Sequence, residues 1–238
     1  MSAERKVTSR ERKKVIIVII SVVAIIAVGF LSTEFIIPAV RRELAYKAIS
    51  DKSLRVGDVI LFGEEEWNNT WIVLDVQGSR VLLINERCVE VMGFDGLYHP
   101  TDPHMGRIFM TFPSCDSPDS VPVGPELWDR SGIRRWLCGE YLQYAFSERD
   151  RQYISDCGCG EVFLISREET ETYFGSASDR TAEYLRGDAP WWLRSGVNIE
   201  GYRYADYVGS SGVINDHGVC DQGSDIGVRP AMWLDAEM

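Results

Sequence analysis

An uncharged stretch near the N-terminus constrains this chain most, because it sets the compartment for everything after it. Residues 15–31, VIIVIISVVAIIAVGFL, are nearly all strongly apolar, and their length is at the short end of what spans a bilayer core. Six Lys and Arg residues stand in the fourteen positions before this run, and such a basic flank stays in the cytoplasm. The pattern therefore predicts a cytoplasmic basic tail at 1–14 and one transmembrane signal anchor at 15–39.

A cleaved signal peptide is the alternative interpretation of the same run. Its apolar region would be shorter and would end in a small-x-small cleavage site, whereas no Ala-x-Ala site follows the run. The anchor interpretation predicts a single-pass protein of the cell membrane. In it, a short helical stalk at 40–53 leads from the membrane to an extracytoplasmic domain at 54–238. The membrane, contacted through the N-terminal helix, is then the first predicted partner.

The part beyond the predicted anchor is strongly acidic. From Leu44 to the end it contains 17 Lys and Arg against 32 Asp and Glu, a balance of −15. Nucleic-acid binding requires basic patches that neutralise phosphates, so this composition excludes nucleic acid as a partner and argues equally against anionic lipid surfaces. The remaining length suits one domain with a sizeable core.

All cysteines of the chain lie in the predicted outer part. An even number in an oxidising compartment favours disulfides, and the disulfide candidates are Cys88, Cys115, Cys138, Cys157, Cys159 and Cys220. One glycine separates Cys157 from Cys159, so we expect these two to be too close to bridge each other and to pair elsewhere or stay reduced. Free buried thiols and a zinc site are the alternatives, although no cysteine pair has the spacing of a zinc knuckle.

The periodicity of the outer part predicts an α+β domain. Residues 71–76 and 80–84 form a predicted hairpin with Gly78 at its turn, and Ser166 opens a predicted capping box at the start of a helix. Short strand-like pieces separated by glycines near the C-terminus predict an antiparallel meander. Residues 93–126 contain many Gly, Pro, Asp and Ser, so we predict a long loop there.

Several motifs occur in order along residues 54–236. They are Gly57-Asp58, Trp71 with Val73-Leu74-Asp75, Trp128 with Ser131, Arg134, Trp136 and Leu137, Val162-Phe163-Leu164, Trp191-Trp192-Leu193-Arg194-Ser195, and Gly227-Val228-Arg229-Pro230-Ala231. Together they resemble an uncharacterised bacterial family, the domain of unknown function 6273, which is common in surface and secreted proteins of Gram-positive bacteria. The C-terminal part resembles, more distantly, the C-type-lectin-like fold shared with formylglycine-generating enzymes. The resemblance implies an α+β fold with a C-type-lectin-like mixed sheet, short helices and long loops, preceded here by one transmembrane helix.

Aromatic and basic side chains near the C-terminal motifs suggest a ligand-binding groove. Adjacent Trp191 and Trp192 point to opposite faces of a strand, so one ring is available to stack on a sugar or a peptide side chain. The alternative is that both rings are buried. As a hypothesis, Trp192, Arg194, Tyr204 and Tyr98 border one shared groove, with Tyr98 contributed by the long loop.

Arginines within two apolar strands need partners, because an unpaired buried charge is costly. For both Arg194 and Arg229 we expect a structural ion pair, and the anchoring of a ligand carboxylate is the alternative. The acids available for these pairs are Asp206, Asp221, Asp225 and Asp235.

No cofactor is predicted, and calcium is the one metal that the composition suggests. Residues 215–225 are rich in Asn, Asp and Gly, and calcium prefers oxygen ligands, which makes Asp216, Asp221 and Asp225 the candidates. The spacing does not match an EF-hand, and the tip of a hairpin has the same composition.

Sequence motifs of known catalytic sites are absent, since the chain contains no Gly-x-Ser-x-Gly elbow, no His-Glu-x-x-His and no P-loop. His99 and His104 lie in the predicted loop, where a lone histidine is more often solvated than catalytic. We therefore expect a membrane-anchored extracytoplasmic binding module for a cell-surface glycan, a peptide or a protein. The alternatives are an oxidase of the formylglycine-generating type, with Cys220 and Cys157 or Cys159 as its reactive pair, and a structural component of the envelope.

Overall fold

The first described helix begins inside the segment that was predicted to span a membrane. The computed structural model describes residues 37–94, 125–199, 202–219 and 226–237. No helix in these ranges is long and apolar enough to cross a membrane. This finding corrects the predicted fold class, which placed a transmembrane helix before the domain. Residues 1–36, with the basic tail and most of the predicted span, lie outside the described residues.

Helix α1, Ile37–Ser50, contains four charged residues in its central part, so it lacks the apolar character of a membrane span. The chain divides into two units, Met1–Leu44 and Ala45–Met238. Within the second unit, α1 buries three side chains, those of Ala45, Tyr46 and Ile49. This half of the helix belongs to the core, although the sequence predicted a stalk at 40–53.

The first sheet has six strands. They are β1 (Val59–Leu61), β2 (Thr70–Gln77), β3 (Arg80–Asn85), β5 (Ile154–Ser155), β6 (Val162–Phe163) and β13 (Ala231–Asp235). Their order is β1-β2-β3-β13-β5, and β6 also pairs with β13. The predicted hairpin is confirmed, because Gly78 supplies the turn between β2 and β3 with a φ of +65°, which glycine adopts freely.

The second sheet is mixed. It contains β4 (Glu90–Val91), β9 (Trp191–Ile199), β10 (Tyr202–Val208), β11 (Ile214–Val219) and β12 (Gly227–Val228), in the order β11-β10-β9-β12-β4. The predicted meander is confirmed for β9, β10 and β11, which pair antiparallel. Strand β12 is parallel to β9. A separate hairpin pairs β7 (Ala182–Tyr184) with β8 (Gly187–Ala189).

Short helices complete the α+β domain. They are α2 (Pro125–Asp129), α3 (Gly132–Trp136), α4 (Leu142–Ala145), α5 (Glu148–Tyr153), α6 (Arg167–Tyr173) and α7 (Ala177–Arg180). A π-helical turn, Leu137–Tyr141, joins α3 to α4, and a 3₁₀ turn, Glu65–Trp67, follows β1. The predicted capping box is confirmed, since Ser166 and Glu169 each accept a backbone N–H from the other at the start of α6.

Four tryptophans of the core form hydrogen bonds through their ring nitrogens and pack through their ring faces. Trp71, Trp191 and Trp192 are at most 1% exposed, and Trp128 is 3% exposed. Their indole N–H groups donate at 2.8–2.9 Å to the backbone carbonyls of Phe62, Arg180, Met92 and Cys159, respectively. A buried indole N–H requires such an acceptor, so these four rings are structural.

Candidate functional site

The central aromatic ring of the predicted groove, that of Trp192, lies in the core. Trp192 is completely buried, and its ring packs edge-to-face against Phe94 and Tyr207, with centroids 5.5 and 6.3 Å away. Both adjacent tryptophans are buried because β9 is covered on its two faces, so the structure places Trp192 in the core, which was the alternative to the ligand groove. Tyr204 is half-buried on β10, and Tyr98 lies outside the described residues.

Arg194 forms an ion pair, as expected, but with an acid that was not among the candidates. Its guanidinium binds both carboxylate oxygens of Glu169, with 2.7 Å between Nη2 and Oε1, and Nη1 donates to the carbonyl of Leu164 at 2.9 Å. Glu169 is also the capping-box acid of α6. The pair therefore fastens the start of that helix to β9, which is a structural role.

Arg229 is buried and forms no salt bridge among the described residues, although the charge of the exposed Glu86 acts on it. The arginine is 2% exposed, and its Nε donates to the carbonyl of Asn85 at 2.9 Å. The guanidinium carbon lies 5.2 Å from the ring centre of Trp191 and 5.6 Å from that of Phe174. Burial lowers the pKa of Arg229 to about 10. Within the described residues, backbone carbonyls and two rings hold this cation, and neither Asp206 nor Asp235 forms a salt bridge with it.

The part of the chain that the structure describes contains no group of three or more His, Cys, Asp and Glu residues suited to a metal ion. In the segment proposed for calcium, residues 215–219 belong to β11, Ile214–Val219, which pairs with β10. The backbone of Asp216 lies in this strand. Asp221 and Asp225 lie outside the described residues.

Cys157 and Cys159 form a disulfide with each other, so the expectation that they are too close to bridge is wrong. Their Cα atoms are 5.4 Å apart, which is within the ordinary range for a disulfide. The chain reaches this geometry because the intervening Gly158 adopts a φ of +87°.

The remaining cysteines divide into two groups. Cys88 and Cys138 are free thiols, and burial raises the pKa of both, that of Cys88 to about 12. Cys115 and Cys220 lie outside the described residues. The oxidase alternative needed Cys220 to meet a free cysteine of the 157–159 segment, whereas both cysteines there are already bonded.

A half-buried aromatic surface lies where the sequence predicted none. Trp67, in the 3₁₀ turn after β1, and Trp136, the last residue of α3, have ring centroids 6.4 Å apart. Both rings contact the fully buried Tyr141, with centroids 5.6 and 5.1 Å away. Both are partly exposed, and neither indole N–H has an acceptor among the described residues. We call these two rings the Trp67–Trp136 surface.

Acidic side chains accompany the Trp67–Trp136 surface. Glu64, Glu65 and Glu66 directly precede Trp67, and the last two are exposed. Near Trp136, the positive charge of Arg134 is neutralised by a salt bridge, because its Nη1 lies 3.2 Å from the carboxylate of Asp129. A tryptophan directly after three glutamates, outside any strand pattern, is the sequence signal that indicates this surface.

A family model described as a domain of unknown function, DUF6273, matches residues 117–236. This range covers just over half of the chain and extends from before α2 through β13. The match begins at residue 117, whereas the motifs suggested a start at residue 54. Strand β3 lies outside the matched range, but it pairs in one sheet with β13, which lies inside it. No curated protein and no solved structure matches the chain, so the expected likeness to the C-type-lectin-like fold and to formylglycine-generating enzymes has no support.

Proposed function

Because the chain belongs to the family of the domain of unknown function DUF6273, whose description states no activity, we propose its function from the site itself. The proposal is an extracytoplasmic binding module that captures a basic peptide segment of a partner on the Trp67–Trp136 surface. It rests on one observation, a pair of half-buried indoles whose N–H groups lack acceptors among the described residues. A tryptophan with an open face and an open donor suits a partner, since such rings anchor many interfaces.

Charge favours a basic peptide over other ligands. Glu65 and Glu66 are exposed beside Trp67, and the chain from Leu44 onward carries the balance of −15. A Lys or Arg over an indole face gains about 0.5–1 kcal/mol at an exposed site and about 2 kcal/mol when it is desolvated. The glutamates add a longer-range attraction that salt screens.

The location outside the cytoplasm stays a prediction. The Cys157–Cys159 disulfide supports it, because disulfides persist in oxidising compartments and are rare in the reducing cytoplasm. Detection of this bond by mass spectrometry, in protein alkylated before cell lysis, is the measurement that checks it. Free thiols at both positions in all of the recovered protein would contradict the proposed location.

Peptide and glycan arrays test the proposed ligand. The purified full chain is incubated with peptides of equal length that differ in Lys and Arg content, and in parallel with glycans. We expect binding to rise with the basic content of the peptide and to fall as ionic strength is raised. Binding to glycans alone would contradict the charge argument and replace the peptide by a sugar.

Two conservative variants connect this binding to the surface. Trp67→Phe and Trp136→Phe retain an aromatic contact with Tyr141 but remove the open donor and part of the exposed face. We expect each to weaken peptide binding about 5- to 10-fold, which corresponds to about 1–1.4 kcal/mol, with little change in melting temperature. Leu185→Ala, at an exposed side chain elsewhere, is the matched control. Loss of stability without loss of affinity in both Phe variants would identify the indoles as core residues.

A further inference from the structure

We infer that the Cys157–Cys159 disulfide is a thiol–disulfide exchange site that oxidises dithiols of other proteins. The bond lies in the connection between β5 and β6, where Cys157 and Gly158 are exposed and Cys159 is half-buried. Cys157 is therefore accessible to a thiol from another molecule. The inference is independent of the Trp67–Trp136 surface.

A disulfide of this span contributes little to holding the fold together. Disulfides stabilise mainly by restricting the unfolded chain, and the gain grows with the length of the loop that they close. Here one residue separates the two cysteines, and both belong to the same connection, so the bond joins no two elements of the fold. A chemical role explains the pair better than a structural one.

Two hydrogen bonds hold the backbone around the disulfide without using its sulfur atoms. The Oδ1 atom of Asp156 accepts the N–H groups of Gly158 at 2.7 Å and of Gly160 at 3.1 Å. Gly160 has a φ of +113°, and a Cβ added to it would lie 2.6 Å from the sulfur of Cys138, so only glycine fits there. Because these two hydrogen bonds do not use the sulfur atoms of the pair, we expect them to persist when the bond is reduced and to keep the two thiols close enough to form it again.

Residues of α2 and α3 hold the backbone of Cys159. Its carbonyl oxygen accepts the indole N–H of Trp128 at 2.8 Å and the Nε–H of Arg134 at 3.2 Å. Arg134 also pairs with Asp129, so its contact with the carbonyl of Cys159 fixes the position of this backbone. Cys157 is the more exposed of the two cysteines, so an incoming thiolate reaches its sulfur first and Cys159 becomes the leaving sulfur.

The free thiols described in this domain do not compete for the reaction. Cys138 donates to the carbonyl of Val162 at 3.3 Å, and Cys88 is buried. Burial raises the pKa of both thiols, and a protonated thiol is a poor nucleophile. Cys138 therefore provides a matched control for the two reacting cysteines.

The reaction takes two steps and moves two electrons. A thiolate of the substrate protein attacks the sulfur of Cys157, the Cys157–Cys159 bond breaks, and the electron pair leaves on Cys159, which takes a proton from water. A second thiolate of the substrate then attacks its own sulfur in the mixed disulfide and releases Cys157 as a thiolate. The substrate dithiol is oxidised to a disulfide and the chain is reduced to a dithiol. A second protein disulfide restores the chain by the reverse steps.

A single-turnover experiment tests this inference. The oxidised full chain is mixed without oxygen with an excess of a synthetic peptide that carries two thiols, and the products are quenched with acid, alkylated and weighed by mass spectrometry. We expect one peptide disulfide for each chain that becomes reduced at Cys157 and Cys159. Cys138→Ser is expected to react like the native chain, whereas Cys157→Ser and Cys159→Ser form no peptide disulfide.

Trapping identifies the sulfur that is attacked. In Cys159→Ser, incubation with a one-thiol peptide whose sulfur is bonded to a small thiol is expected to leave a stable mixed disulfide between that peptide and Cys157, and to release the small thiol. Melting curves confirm that each variant is folded. A bond that resists excess thiol until the chain unfolds, or a mixed disulfide found at Cys138, would overturn the inference.

Discussion

Substitutions of Arg229 separate the free-energy cost of burying its charge from the stabilisation that its side-chain packing provides. Burial lowers the pKa of Arg229 to about 10, and a depression of this size corresponds to a cost of about 3 kcal/mol for the charged folded state at neutral pH. Opposing this cost, the hydrogen bond from Nε to Asn85 stabilises by about 1.5–3 kcal/mol, as charged hydrogen bonds do. The contacts with the rings of Trp191 and Phe174 add about 2 kcal/mol.

These terms predict different outcomes for two substitutions. Arg229→Met fills a similar volume between the rings and removes the cost of the charge, so we expect it to lower the free energy of unfolding by less than about 2 kcal/mol. Arg229→Ala also empties that volume, and cavities of this kind cost about 2–5 kcal/mol. Neither variant leaves a buried carboxylate unpaired, because Glu86, whose charge acts on the guanidinium, is exposed to solvent.

Urea unfolding of the two variants, followed by tryptophan fluorescence, measures the difference. We expect Arg229→Ala to be less stable than Arg229→Met by at least about 2 kcal/mol, or roughly 4–8 °C in melting temperature for a domain of this size. Equal losses in the two variants would refute the reasoning, because packing between the rings would then contribute nothing beyond the hydrogen bonds.

The features predicted correctly from the sequence are those set by neighbouring residues. Gly78 lies in a turn between two alternating runs, and Ser166 and Glu169 stand three positions apart, so both patterns carry their own geometry. The meander of β9, β10 and β11 follows from glycine spacing in the same way. Each of these elements joins residues that are close in the chain or connected by one short turn, which a sequence pattern shows directly.

The features that the sequence did not predict depend on residues far apart in the chain. Arg229 contacts Asn85 across 144 positions, and Arg194 reaches Glu169 across 25, so no local pattern names either partner. The burial of Trp192 depends on what covers the second face of β9, which alternation along the strand does not show. The closure of the Cys157–Cys159 bond depends on the backbone angle of one glycine, and this angle is set by hydrogen bonds around it.

Three further predictions follow from single contacts. Glu169→Gln removes the counter-charge of the half-buried Arg194 and should cost about 1–3 kcal/mol in urea unfolding; an unchanged midpoint would contradict a structural role for the pair. Gly212→Ala places a Cβ 1.7 Å from a backbone carbonyl oxygen. It should therefore lower the free energy of unfolding by more than Gly57→Ala does. Gly57 has open space around it, so its substitution introduces only the strain of a positive φ, about 1–2 kcal/mol. The last concerns pH. Burial raises the pKa of Cys88 from 9.0 to about 12 in the folded chain, so the unfolded chain loses this proton first and stability falls as pH rises above 9. Between pH 9 and pH 10 the native chain should lose about 1 kcal/mol more than Cys88→Ser, whose hydroxyl does not titrate. Parallel declines of the two unfolding curves would show that the thiol ionises as easily in the folded chain as in the unfolded one.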